Sequence, residues 1–325
     1  MRNRKRRNHI FPEMGEELLS MQPKVRAYIL KILVPLGCHR EFISSLGYKS
    51  NEIASLFSLP DGNPFSEFGD EFDEKTAHRM LYQIFHNEKD THVPYPQPLA
   101  NNVDNLAKLV GLSEIDCELL CFAVLIQSSR LMAEACGYLG SNLNLLNLIY
   151  ILSVMLDRQE KQIKDALSGR LTQIGLLEIF PDTFNYTLSN VITLFSKNFA
   201  DHLLIDENSS PLEWLKDLVV KNSEPTLSLK HYEKLSDEIE VMIEYLKESI
   251  RCQKKGINVL FWGSPGVGKS ELARVIAKEV GSDLLEIVSH DSKQNSISGE
   301  KRLSAMRAAQ AFFCHGSSLF LVEES

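Results

Sequence analysis

The chain has 325 residues, of which 44% are hydrophobic and 24% are charged, and its formal net charge is −8. These values predict a soluble globular protein of about two domains, and the acidic excess argues against nucleic acid as the partner of the whole surface. The longest apolar run, residues 143–156, is too short to span a bilayer and contains two asparagines. It therefore predicts a buried helix, and no membrane is expected as a partner.

The cysteines form no C-x-x-C pair and no regular framework, which predicts reduced thiols in a cytoplasmic protein. They lie at Cys38, Cys117, Cys121, Cys136, Cys252 and Cys314. Two of them, Cys117 and Cys121, are one helical turn apart within an apolar run, so we expect them in the core. No further histidine or aspartate completes a metal site with them.

The N-terminal region, residues 1–93, is predicted to be mainly helical. It begins with a basic run, residues 2–7, which resembles the start of an export signal, but acidic residues separate it from the apolar run at 27–37. We therefore expect no secretion. A short basic run can touch RNA, DNA or an acidic lipid surface, but a solvated tail is the favoured interpretation.

Prolines at alternate positions, Pro94, Pro96 and Pro98, predict an extended boundary before a second region, residues 99–224. Helices are expected there at 105–110 and 117–131, and the turn between them resembles a helix-turn-helix. The same letters describe any tight helix corner that is capped by Ser113. The few basic residues on the second helix favour that simpler alternative.

A winged-helix-like module is predicted further along the second region. Its helices are expected at 142–157, 160–167 and 170–178, and the alternation of Phe184, Tyr186 and Leu188 predicts a strand over 183–188. Winged helices bind DNA or dock proteins, and Arg170 is almost alone as a positive charge on the candidate recognition segment. A structural or protein-binding role is therefore favoured, and nucleic acid remains a less favoured partner.

The third region, residues 226–325, has a strand-loop-helix pattern. A long helix over 229–254 is predicted first, then a strand over 257–262, a helix over 270–280, a strand over 283–288, a helix over 299–313 and a strand over 318–322. This order predicts the start of a parallel α/β sheet. The last strand delivers Glu323 and Glu324 at its carboxyl end.

The loop between the first strand and its helix fits the phosphate-binding pattern G-x-x-x-x-G-K-[ST] at every fixed position. Its residues are Gly263, Ser264, Pro265, Gly266, Val267, Gly268, Lys269 and Ser270. Glycines allow backbone N–H groups to approach phosphate oxygens, Lys269 adds a positive charge and Ser270 can ligate Mg²⁺. Together with Glu271, which follows directly, these residues are the predicted nucleotide-binding set.

This region resembles the AAA+ family of P-loop ATPases in its G-x-P-G-x-G-K-S loop, in the Gly299-Glu300 pair that opens the next helix and in the hydrophobic strand that ends in two acids. The resemblance implies an α/β P-loop domain that binds ATP and Mg²⁺. It implies that Glu323 serves the metal and Glu324 orients the attacking water. It also implies that the segment before the long helix passes the adenine, so we expect His231 or Tyr232 either to stack on the base or to pack at a domain junction. It also implies a ring of identical subunits and remodelling of a protein partner.

Two departures from the family pattern support an alternative. Glu323 stands where the family usually has aspartate, and the longer side chain is expected to disturb the water shell of the metal. The sequence also stops at Ser325, directly after the two acids, which predicts an incomplete sheet and weak hydrolysis by this chain alone. The alternative is a nucleotide-binding module without turnover whose N-terminal helices dock on DNA or on a regulatory protein.

Overall fold

The structure is a computed structural model, and it describes residues 16–60, 72–205, 210–254, 256–290, 295–313 and 318–323. The basic run at 2–7, Cys314 and Glu324 lie outside the described residues. The chain divides into two compact units. The first comprises residues 1–173 and 177–209, and the second comprises residues 174–176 and 210–325.

The first unit is mainly helical, with two short antiparallel ribbons, β1 with β2 and β3 with β4. Its elements in chain order are α1 (Glu16–Leu33), α2 (His39–Phe42), β1 (Ile43–Ser44), β2 (Gly47–Tyr48), α3 (Asn51–Leu56), α4 (Glu74–Glu88), α5 (Gln97–Val110), α6 (Glu114–Ser128), α7 (Arg130–Gly137), α8 (Leu145–Leu156), α9 (Glu160–Leu167), α10 (Arg170–Gln173), β3 (Leu177–Ile179), α11 (Leu188–Val191), β4 (Ile192–Leu194) and α12 (Lys197–Ile205).

The core of the first unit is built around α6. Ser113 caps this helix in a reciprocal capping box with Asp116, and the preceding Gly111 ends α5 in a left-handed conformation, φ 72°. All eight residues from Leu119 to Ile126 are buried. The corner before α6 is therefore capped by Ser113, as the simpler alternative predicted, and the middle of α6 lies in the core.

Two boundaries in this region differ from the sequence predictions. The predicted helix 117–131 is two helices, α6 and α7, with a break at Ser129, which ends one helix and caps the next. Helix α5 begins at Gln97 and includes Pro98 in its first turn. Proline is tolerated there because a first-turn N–H has no partner within the helix.

Among the described residues, no single helix is long and apolar enough to cross a bilayer. Helices α6 and α7 together are long and apolar enough for a membrane span, but the chain bends by 96° between them. Their apolar side chains are largely buried within the first unit, including Phe122 and Met132, which have no exposed surface.

Of the predicted winged-helix module, the structure contains the helices α8 and α9. It also contains a two-stranded ribbon, but at residues 177–179 and 192–194 instead of the predicted position. Strand β3 pairs antiparallel with β4, with Leu177 opposite Leu194. The predicted strand at 183–188 is wrong, and the predicted helix 170–178 ends at Gln173. Asp182 and Asn185 have φ angles of 60° and 61°, which an extended strand does not allow.

The second unit contains the remaining elements. They are α13 (Pro211–Leu215), β5 (Val219–Lys221), a 3₁₀ helix (Leu229–Leu235), α14 (Ser236–Arg251), α15 (Lys269–Val280), β6 (Leu284–Ile287), α16 (Gly299–Phe312) and β7 (Leu319–Val322). Helices α15 and α16 and strands β6 and β7 lie within one or two residues of their predicted limits. The predicted helix 229–254 is interrupted because Tyr232 leaves helical geometry, with φ −119° and ψ 30°.

The sheet of this unit has the order β5-β6-β7 and is mixed. Strands β6 and β7 are parallel, as predicted, but β5 joins them antiparallel, with Val219 opposite Ile287. The predicted strand at 257–262 is wrong: the segment has no partner in the described sheet, and Leu260 and Trp262 are 84% and 88% exposed. An apolar β-branched run becomes a strand only where another strand pairs with it.

A hydrophobic cluster holds α14 against α15. Ile239, Ile243 and Leu246 of α14 are buried against Leu272 and Ile276 of α15. The 3₁₀ helix covers one edge of this cluster through Leu229 and Tyr232, which are partly buried. The first turn of α15 is therefore fixed on a packed layer.

Candidate nucleotide-binding site

The glycine-rich loop, residues 263–268, has the backbone conformation that its sequence requires. Gly263, Gly266 and Gly268 have φ angles of 145°, 78° and 86°, which side chains disfavour. Gly268 is also the N-cap of α15, and Gly281 ends that helix with φ 76°. The loop residues from Gly263 to Val267 are exposed, and the loop stands at the N-terminal, positive end of α15, where the first N–H groups have no partner within the helix.

Lys269 is the first residue of α15, and its side chain folds back over the loop. The Nζ atom donates hydrogen bonds of 3.0 Å to the carbonyl oxygens of both Gly263 and Ser264. Ser270 follows on the same first turn and is partly buried. The lysine cation therefore lies over the start of the loop, and Ser270 is the next residue of the helix.

Tyr232 contacts the other end of the loop. Its hydroxyl donates a hydrogen bond of 3.2 Å to the carbonyl oxygen of Gly268. Burial, with a smaller contribution from the negative charge of Glu271, raises the pKa of Tyr232, so the phenol stays protonated as a donor. His231 is exposed and bonds to Ser228, with 3.2 Å between its Nδ1 and the serine Oγ.

Glu271, in the first turn of α15, binds the protein's own backbone. Its Oε1 accepts hydrogen bonds from the N–H and the hydroxyl of Thr226 and, at 2.9 Å, from the N–H of Leu227. These donors, first the Leu227 N–H and then the Thr226 hydroxyl, lower the pKa of Glu271 to about 2. The side chain is only 15% exposed, and it is an ionised carboxylate at neutral pH.

Arg274 extends this network one turn further along α15. Its guanidinium donates to Glu271 Oε2 at 3.0 Å and to Asn222 Oδ1 at 3.0 Å, and it lies 3.9 Å from Glu286 Oε2 on β6. Lys278 adds an ion pair of 2.9 Å to Glu224. The segment between β5 and the 3₁₀ helix is thereby tied to α15 at several points.

Glu323 follows β7, and its backbone carbonyl oxygen accepts a hydrogen bond from Arg302 of α16. Its partner in the prediction, Glu324, lies outside the described residues. Strand β7 packs on α15 through Leu319 and Leu321, which contact buried Ala273 and Ala277. Strand β7 therefore packs directly against the helix that carries Lys269.

The sequence prediction missed Thr226, Leu227 and Arg274 as parts of this arrangement. Glu271 was grouped with the nucleotide-binding residues only because it follows the loop. A Pro-Thr-Leu-Ser segment carries no local signal that a carboxylate 45 residues away binds its N–H groups. The helical spacing of Glu271 and Arg274 is the one signal that could have suggested an ion pair.

The fold and the site define a P-loop nucleotide-binding domain, because a glycine-rich loop caps a helix, a lysine stands at its first position and a parallel strand pair lies beside it.

Comparison with known proteins supports this class and narrows it. Residues 259–324 match the family model "ATPase family associated with various cellular activities (AAA)". A segment of 74 residues is 32% identical to the Holliday junction branch migration complex subunit RuvB of Acholeplasma laidlawii (strain PG-8A). The C-terminal part of the chain is therefore of the AAA+ P-loop ATPase family, as its motifs indicated.

The similarity is confined to that part. The matched segment is 22% of this chain and 22% of the RuvB chain. No solved structure matches the chain significantly.

Proposed function

We propose that the second unit binds ATP with Mg²⁺ and hydrolyses it, and that the protein couples this cycle to remodelling of a protein partner. The observation that carries the proposal is the position of Lys269 Nζ, which is held over the glycine-rich loop at the N-terminus of α15. A fixed cation beside free helical N–H groups is a site for a polyphosphate.

The residues of the loop and at the end of β7 have the chemistry that ATP and Mg²⁺ require. The loop N–H groups and Lys269 would hold the β- and γ-phosphates, while the Ser270 hydroxyl and the Glu323 carboxylate supply oxygen ligands of the kind that Mg²⁺ prefers. The bound metal would neutralise charge on the phosphates. Glu324 would orient the attacking water, and a neighbouring subunit of a ring would supply a further positive charge.

The surface of the first unit supports a protein as the partner. Hydrogen bonds from Asp182 N to Leu143 O and from Asn185 N to Asn142 Oδ1 join the loop after β3 to the start of α8. Large apolar side chains on these two segments are exposed, and basic side chains are lacking between 142 and 157. The most exposed are Leu146 at 76%, Phe184 at 78% and Tyr150 at 51%. Apolar surface of this kind is typical of protein interfaces, whereas nucleic-acid interfaces are cationic.

The proposal is tested by calorimetric binding of ATP to the full chain and by a phosphate-release assay with Mg²⁺. Lys269→Ala should abolish binding, whereas Lys247→Ala, at an exposed position of α14, should leave it unchanged. Equal ATP affinity in Lys269→Ala and wild type would refute the assignment. Binding without sustained phosphate release would instead support the second candidate, a nucleotide-binding module without turnover.

DNA is an alternative to a protein as the partner, because the matched relative is named as a subunit of a Holliday junction complex. The net charge of −8 disfavours it. A gel shift with duplex and four-way-junction DNA at two salt concentrations tests it. Binding that weakens steeply with salt would favour DNA over protein as the partner.

A further inference from the structure

The segment from Thr226 to Tyr232 is fixed at both ends to the first turn of α15. At one end the Glu271 carboxylate accepts hydrogen bonds from Thr226 and Leu227, and at the other the Tyr232 hydroxyl bonds to Gly268. The two anchors on α15 are only three residues apart. The segment therefore follows the rim of the glycine-rich loop, on the side of Gly268.

We propose that Glu271 is a positioning residue which holds segment 226–232 as the wall of the site that faces the nucleoside. The inference rests on the proposed function, because it assumes that the loop binds a triphosphate. Glu271 itself contacts neither the phosphates nor the metal, because its carboxylate is engaged by Thr226, Leu227 and Arg274.

The division of the site into two parts follows from where each contact lies. The phosphate-binding part is the loop with Lys269, whose Nζ lies at the Gly263 and Ser264 end. A triphosphate that fills this loop directs its nucleoside out of it, over the surface beside the first turn of α15. Segment 226–232 lies there, and it exposes 37% of the apolar side chain of Leu227 and the imidazole of His231. A base can pack on such a surface.

The carboxylate is suited to hold this wall. It accepts from two successive backbone N–H groups and one hydroxyl, and it is paired with Arg274 on its other oxygen. Without it, Thr226 and Leu227 lose their common acceptor, and the segment keeps the packing of Leu229 and the anchor at Tyr232. The loop, by contrast, keeps its own glycines and Lys269.

The test compares ATP with inorganic tripolyphosphate, which carries the charges but no nucleoside. Both are titrated calorimetrically, with Mg²⁺, into the wild-type chain and into Glu271→Ala, Glu271→Gln, Tyr232→Phe and Glu279→Ala. Glu279 is exposed in the last turn of α15 and is the matched control. Tyr232→Phe keeps the ring in the α14–α15 cluster and removes only the hydroxyl bond to Gly268. We therefore expect this variant to fold, and it tests the proposal even if Glu271→Ala does not fold.

Glu271→Ala should weaken ATP about tenfold and change tripolyphosphate affinity less than about twofold. Glu271→Gln should retain part of the ATP affinity, because an amide oxygen still accepts from both N–H groups. Tyr232→Phe should show the same preference for tripolyphosphate with a smaller loss, and Glu279→Ala should bind both normally.

Equal losses for ATP and tripolyphosphate would mean that Glu271 supports the loop as a whole, and no loss for either would mean that the wall does not contact the nucleoside. Both results overturn the inference while leaving the proposed function intact. Failure of the wild type to bind either ligand would overturn the proposed function, and the inference with it.

Discussion

The hydroxyl of Tyr232 donates a hydrogen bond of 3.2 Å to the carbonyl oxygen of Gly268, the residue at which the glycine-rich loop becomes helix α15. The bond joins two segments that are 36 residues apart in sequence. Among the three loop glycines, only Gly268 has Tyr232 within 4 Å of the position that a Cβ atom would occupy. Loop geometry and the segment before α14 therefore depend on each other.

Gly268→Ala should destabilise the second unit. A Cβ at this position would lie 3.2 Å from the Tyr232 hydroxyl oxygen, and the φ of 86° disfavours alanine. We expect a loss of about 1–2 kcal/mol in the free energy of unfolding, together with weaker ATP binding. Urea titration followed by tryptophan fluorescence measures it, because Trp214 and Trp262 both lie in the second unit.

Gly299→Ala is the matched control for that experiment. Gly299 opens α16, its added Cβ would meet no heavy atom within 4 Å, and alanine favours the helix. Stability should stay within about 0.5 kcal/mol of wild type. A loss in Gly299→Ala as large as that in Gly268→Ala would show that φ and Tyr232 are not the cause.

The metal dependence of ATP binding should change with the length of the side chain at position 323. Glu323→Asp should increase the ratio of ATP affinity with Mg²⁺ to affinity with EDTA by about threefold, because a shorter carboxylate leaves room for the water shell of the ion. Glu323→Gln should lower that ratio. Neither change removes the bond from Arg302, which is made to the backbone carbonyl. A lower ratio in Glu323→Asp than in wild type would contradict this expectation.

The second unit should lose stability in acid. The folded state lowers the pKa of Glu271 from its ordinary value of 4.5 to about 2, chiefly through the N–H of Leu227. A carboxyl group whose pKa is depressed contributes stability above its unfolded pKa, and this contribution is lost as the pH falls through the folded value. Glu248, which is bonded to Arg251, has its pKa lowered to about 2 as well and contributes in the same direction.

Thermal melts of wild type and Glu271→Gln, followed by tryptophan fluorescence, check this expectation. They are recorded at about pH 7, 4 and 2.5, which covers the range in which such carboxyl groups titrate. The melting temperatures of the two proteins should differ most at pH 7 and converge toward the lowest pH. A difference that is constant over this range would show that the charge of Glu271 is not responsible.

The first unit should depend strongly on α6. Phe122 has no exposed surface, and its ring contacts Tyr28 edge-on with 5.1 Å between the centroids. Phe122→Ala should cost about 3–5 kcal/mol because it leaves a cavity. Leu146→Ala, at a helical position that is 76% exposed, should cost less than about 0.5 kcal/mol. Urea unfolding followed by far-ultraviolet circular dichroism compares them, and equal costs would contradict the assignment of α6 as the core.

The sequence by itself determined the features that depend on neighbouring residues. The glycine-rich loop, the limits of α15 between Gly268 and Gly281, and strands β6 and β7 all follow from local patterns of glycine, charge and apolar spacing. Ser113 is likewise predicted as a cap, although α6 begins at Glu114 and not at the predicted residue 117. The family resemblance depends on the same short motifs.

Only the tertiary structure decided which segments pair. Val219–Lys221 becomes a strand because β6 accepts it antiparallel, while residues 257–262, which have the better strand composition, have no described partner and form no strand. Glu271 becomes the acceptor for Thr226 and Leu227 because α15 packs beside them, 45 and 44 residues further along the chain. Hydrogen bonds between distant segments depend on how layers pack, and no local pattern of residues encodes that.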